Sequence, residues 1–143
     1  MRARLALATL GAVLVLTAAG DRAFAEHEVY YRYTVLGYVK DAKGRPVAAT
    51  RVELVRDKTG LSYDVDTDER GLYVLVVRLG DESAGESLTL STGKVRTRLT
   101  VRFDAGNHQD ERGTRVDLEG ARWLERSAWF RSTLARVLAP PTR

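Results

Sequence analysis

The chain contains no cysteine. Disulfides, zinc-thiolate sites, iron-sulfur clusters and cysteine nucleophiles are excluded, so packing and hydrogen bonding must hold the fold. Only two histidines occur, His27 and His108, and neither is followed by the partners a histidine metal site or a serine triad would need. Charge of one sign is lacking as well: 23 basic against 19 acidic residues give a formal net charge of +4. Long apolar runs are absent except for one, Leu5 to Gly20, near the start.

That run decides what belongs to the folded product. Met1-Arg2-Ala3-Arg4 precedes it with two positive charges, and Ala23-Phe24-Ala25 follows with alanine at both small-residue positions that a signal peptidase requires. The expectation is a cleavable secretion signal over residues 1–25, with the mature chain starting at Glu26 and residing in the periplasm or outside the cell. The run is short for a membrane span of about 20 residues. Removing Arg2, Arg4, Arg22 and Asp21 with the leader lowers the net charge by two. The remaining length suits one domain with a modest core. Residues 26–120 are close to neutral, whereas 121–143 carry five basic side chains against one acidic. A nucleic-acid-binding face is therefore not expected of the domain.

From Glu28 to Glu119 the apolar residues recur with period two between turn-forming residues, the pattern of half-buried strands. Seven strands are predicted, near 29–40, 50–56, 61–67, 72–78, 86–92, 95–103 and 114–119. In the sixth, Val95, Thr97, Leu99, Val101 and Phe103 face one way while Arg96, Arg98 and Arg102 face the other. Leu72 to Val77 is apolar on both faces and reads as central. Asp41 to Gly44, Asp57 to Gly60 and Asp68 to Gly71 each place an aspartate three residues before a glycine, as a type I turn with a left-handed exit requires. Short strands at this spacing without intervening helices indicate an all-β, antiparallel Greek-key sandwich occupying residues 26–120.

Gly37 to Val47, with Asp41, Gly44 and Pro46, then Val52-Glu53-Leu54, then Thr67-Asp68-Glu69-Arg70-Gly71-Leu72-Tyr73 make a composite pattern. It resembles the carboxypeptidase regulatory-like family, a transthyretin-like (prealbumin-like) β-sandwich. The resemblance covers roughly 40 residues. It implies an architecture and a non-catalytic accessory role, with its marked residues serving turns and core. One departure is Ala49-Thr50, where the family usually has Gly-Ala.

Candidate sites are few. Asp64, Asp66 and Asp68 alternate toward one face and invite a calcium reading, but side chains two apart on a strand lie roughly 7 Å from each other and the EF-hand glycine spacing fails. Arg96, Arg98 and Arg102 form a basic stripe that could meet an anionic glycan, lipid or acidic partner, or simply be solvated. Tyr30, Tyr31, Tyr33 and Tyr38 crowd the first strand and offer a contact surface, although tyrosine also favours strands. His27 beside a new α-amino group reads as a frayed terminus, and His108 as a loop residue among Asp104, Asp110 and Glu111.

The tail from Arg122 to Ala139 reads as an amphipathic helix stopped by Pro140-Pro141, with Trp123, Phe130, Leu134, Val137 and Leu138 on one stripe. It is expected to dock on the sheet over Leu72, Val74 and Val76, the alternative receiver being an acidic membrane surface. The resulting expectation is an exported, non-catalytic binding or scaffolding module of the cell envelope with a protein partner and no cofactor. A carbohydrate- or envelope-binding accessory domain is the alternative, and a small hydrolase ranks last.

Overall fold

The computed structural model describes residues 29–141, so the leader, its cleavage site and His27 lie outside the described residues. The strands are β1 Tyr31–Lys40, β2 Arg51–Arg56, β3 Leu61–Asp66, β4 Leu72–Leu79, β5 Ser87–Thr92, β6 Val95–Thr100, β7 Arg112–Glu119 and β8 Arg122–Glu125, followed by helix α1, Phe130–Leu138. They form two four-stranded sheets, ordered β4-β1-β7-β8 and β3-β2-β5-β6. Period-two alternation gives each sheet one apolar face, and the two apolar faces close on a single core. Val35, Val39, Tyr73, Leu75 and Val77 enter it from one sheet, and Val52, Leu54, Leu88, Leu90 and Leu99 from the other.

Turn chemistry sets the registers. Asp41 Oδ1 accepts the N–H groups of Lys43 and Arg45, and Asp68 Oδ1 those of Arg70 and Leu72. Gly71 lies at φ +78°, and a Cβ there would stand 2.4 Å from the Val39 carbonyl oxygen. Pro46 bridges to Lys40, and the buried Thr67 hydroxyl donates to the Val47 carbonyl at 2.7 Å while accepting the Thr50 N–H at 3.1 Å. Tyr73 is fully buried, donates to the Val116 carbonyl, and meets Trp123 edge to face at 6.4 Å. Burial drives its phenol pKa well above the usual value.

Three expectations are corrected. The sandwich has eight strands where seven were expected, because Gly120 at φ +64° and Ala121 form a two-residue hairpin that returns the chain as β8. The sheets are not wholly antiparallel: β1 and β7 pair in parallel, aligning Tyr33 with Arg112 and Val39 with Leu118. The tail is not one helix from residue 122. Trp123 lies on β8, turned into the core, where its indole N–H donates to the Val95 carbonyl at 3.1 Å. Its seven-residue spacing from Phe130 imitates a helical stripe by coincidence.

Helix α1 lies on the outer face of the β4-β1-β7-β8 sheet. Phe130 and Leu134 pack with Leu36 and Val74, whereas Leu138 is 69% exposed and Val76 41%. The receiving surface is thus centred on Leu36 rather than on Leu72 or Val76. Gly113 makes room for the helix, since a Cβ there would meet the Phe130 ring at 2.6 Å and the Thr34 carbonyl oxygen at 2.0 Å.

Candidate functional site

Parallel pairing brings the first residues of β1 and β7 to the same end of the sandwich, beside the end of β4 and the long connection after β6. Tyr31 opens β1 and Arg112 opens β7. On β7 the inward positions are 112, 114, 116 and 118, so Arg112 carries its charge into the interior, 6% exposed. Its guanidinium is held between two rings, 4.6 Å from the Tyr31 centroid and 4.0 Å from that of Phe103. The other face of this layer is extended by His108, stacked on Tyr31 at 4.6 Å and 11°. Cation and rings thus form one continuous stack, each desolvated contact contributing about 1–2 kcal/mol.

Polar contacts orient the stack. Arg112 Nη2 lies 2.9 Å from Asp81 Oδ1 and donates to the Asn107 carbonyl at 3.0 Å. His108 Nε2 lies 2.8 Å from Asp81 Oδ2. His108 and then Arg112 hold the Asp81 carboxyl below the ordinary aspartate range. Arg112 Nη1 is buried without a hydrogen-bond partner. A buried unsatisfied donor costs about 1–3 kcal/mol, which the ring contacts help to offset.

One cavity adjoins this stack, and a second adjoins the first. The first, of about 280 Å³, has Arg102, Phe103, Arg112, Ser127, Phe130 and Arg131 in its wall. The other, of about 390 Å³, is walled by Tyr33, Thr100, Thr114 and Glu125 and shares Arg102, Gly113 and Ser127 with the first. Glu125 Oε2 accepts from the Thr114 hydroxyl at 2.7 Å. Burial pushes the Tyr33 phenol up to about 12, so it stays a neutral wall group. A further hollow of about 680 Å³ lies at the opposite end, against Lys40, Gly120 and Arg122.

A second polar network sits under α1. Asp117 is 2% exposed on the outer sheet face; it accepts from Arg115 at 3.0 Å and from Arg126, and takes the Tyr38 N–H at 2.9 Å. Burial raises its pKa, but Arg115, the Tyr38 N–H and Arg126 outweigh burial and leave it below the usual value. Arg115 also donates to Thr133 of α1 at 3.0 Å, and both arginines stand 5.2 Å from the ring of Trp129, which is 52% exposed.

The sequence-derived candidates separate into those the site gathers and those it does not. Tyr31 and Arg102 fall at this end. Tyr33 is 2% exposed, a core residue rather than a contact surface, while Tyr30 is 48% exposed just before β1. Arg96 and Arg98 lie on the outer face of the other sheet, where Arg98 approaches Asp57 at 3.6 Å. The acids of the weak calcium candidate stay apart. Asp66 faces Arg51 at 3.6 Å, Asp68 belongs to its own turn and to Arg70, and the three acids do not converge. Among the described residues no group of three or more His, Asp or Glu is placed to hold a metal ion.

Arg112, Phe103, Asp81, Asp117 and Glu125 were not singled out from the sequence. The available signal was Arg112 itself, a charge on the face that Val116 and Leu118 turn to the core.

No family model matches the chain, and no curated protein matches it. Among solved structures it is similar to 3-chlorocatechol 1,2-dioxygenase from Rhodococcus opacus 1CP, with 16% identity and a TM-score of 0.38 over 70% of this chain. The match spans 58% of that enzyme's chain, and a likeness of this size carries no argument about function.

Proposed function

We propose that this chain is an exported, non-catalytic binding module of the cell envelope, built on a transthyretin-like Greek-key sandwich, and that it engages a protein partner at the Tyr31–Arg112 end. The strand orders β4-β1-β7-β8 and β3-β2-β5-β6, and the composite turn pattern from Gly37 to Tyr73, support the architectural part. The observation that carries the functional part is Arg112, buried and clamped between two rings beside an open cavity. Such preorganised aromatic and arginine groups are what interfaces use as anchors. His108 is engaged with Asp81 and Tyr31, an arrangement that fixes a loop rather than activates a hydroxyl.

The test is capture from an envelope extract by the purified chain carrying a C-terminal tag. The expected result is one partner retained by the wild type and lost with Tyr31→Ala, while circular dichroism shows an intact sheet. Equal retention by both proteins overturns the reading. A glycan-binding role is favoured by one separate observation, the half-exposed Trp129 ring braced by Arg115 and Arg126. It predicts saturable retention on glycans or peptidoglycan that Trp129→Ala abolishes.

A further inference from the structure

The two cavities that share Arg102 have a wall whose chemistry is divided. On the Phe103 and Phe130 side it sets two phenylalanine rings and three arginines, Arg102, Arg112 and Arg131, beside the acids Asp104, Asp110 and Glu111. Arg102 lines both cavities and enters no ion pair among the described residues. Arg112 lies behind the wall of the first cavity, its guanidinium buried, and adds positive charge there. The acids nearby are already engaged: Asp110 with Arg131 at 3.3 Å and Asn107 at 2.8 Å, Glu111 with Arg32 at 3.1 Å. Asp104 caps its own turn through the Gly106 N–H at 2.9 Å. On the Glu125 side the wall offers hydroxyls and a carboxylate, one oxygen of which is taken by Thr114.

A ligand complementary to this arrangement carries one negative charge, an apolar group next to it, and N–H donors one step further away. We infer that the joined cleft captures the free C-terminal carboxylate of a partner polypeptide with an apolar last side chain. The carboxylate meets Arg102, whose planar fork suits two carboxylate oxygens. The last side chain rests against Phe103 and Phe130, and the preceding backbone N–H groups face Glu125 and the hydroxyls. A phosphate dianion fits less well, because Asp104 and Glu125 also border the cleft. This inference rests on the binding-module reading and names the part of the partner that is recognised.

The experiment titrates the full chain with N-acetyl-Ala-Ala-Phe as free acid and as amide, followed by calorimetry or by amide chemical shifts. The free acid is expected to bind at least tenfold more tightly than the amide. Arg102→Ala should bring the acid down to the level of the amide with an unchanged melting temperature, Arg102→Lys should retain part of the preference, and Arg136→Ala should alter nothing. Equal binding of acid and amide overturns the inference, as does absence of binding by either. Benzoate binding as tightly as the peptide acid overturns the polypeptide assignment. If the inference fails while an envelope partner is still captured in a Tyr31-dependent way, the module reading stands. Loss of both removes that reading too.

Discussion

Ala49 is the one non-glycine among the described residues with a positive φ, at +54°. A left-handed conformation costs an alanine about 1–2 kcal/mol relative to its preferred backbone. The strained position is the one where the resemblance calls for glycine, so a departure visible in the sequence becomes a backbone cost in the structure. Ala49→Gly should stabilise the fold by about 0.5–1 kcal/mol, the relief of strain exceeding glycine's added unfolded-state entropy. Denaturant melts of the two proteins check it, and a lower midpoint for the glycine variant would contradict it. A second residue-scale expectation concerns Glu86, which takes two bonds from Arg56 at 2.8 Å, both side chains largely buried. Arg56 holds the Glu86 pKa at about 2, against an ordinary 4.5. A depressed folded-state value means stability that is complete above pH 4.5 and is lost as the pH falls through 2. Glu86→Gln should therefore cost about 3 kcal/mol at neutral pH, with the gap to wild type closing between pH 4.5 and 2. The position of these partners 30 residues apart could not be read from the sequence, because pairing across strands depends on a register that alternation alone leaves open. Arg112 was legible in principle, Asp117 was not: its outward position on β7 looks solvated until Arg115, Arg126 and the Tyr38 N–H enclose it.

At the scale of elements, the strands were readable because alternation and aspartate–glycine turns state the same boundaries. The tail was misread for a reason of the same kind. Trp123, Phe130 and Leu134 fit a helical stripe, yet Gly120 at φ +64° first turns the chain into β8. What survives of the amphipathic helix is short, and its hold on the sheet rests on Phe130 and Leu134, each worth about 1.5–3 kcal/mol when buried. Removing residues 128–143 should lower the melting temperature by uncovering Leu36 and taking the Thr133 partner from Arg115, without changing the affinity for acidic liposomes. Gly113→Ala should also lower the melting temperature, because its Cβ would meet the Thr34 carbonyl oxygen in the β1–β7 pairing as well as the Phe130 ring. An unchanged melt after the deletion would mean that the helix contributes no net packing.

For the whole molecule, the sandwich could be expected from the sequence, whereas the parallel neighbours β1 and β7 could not, since they are separated by most of the domain and nothing local encodes their direction. The leader expected over residues 1–25 makes a further prediction: intact mass of exported protein should correspond to a chain starting at Glu26, and a product retaining Met1 would contradict it. The direction of β1 would give such processing a spatial meaning. Because β1 begins at the end that holds Tyr31 and Arg112, the expected cleavage after Ala25 would leave five residues, Glu26 to Tyr30, ahead of Tyr31. Fully extended, these reach at most about 18 Å. Were the expected cleavage to occur, any group fused to the new terminus would sit within that reach of Tyr31, and so beside the residues it would obstruct.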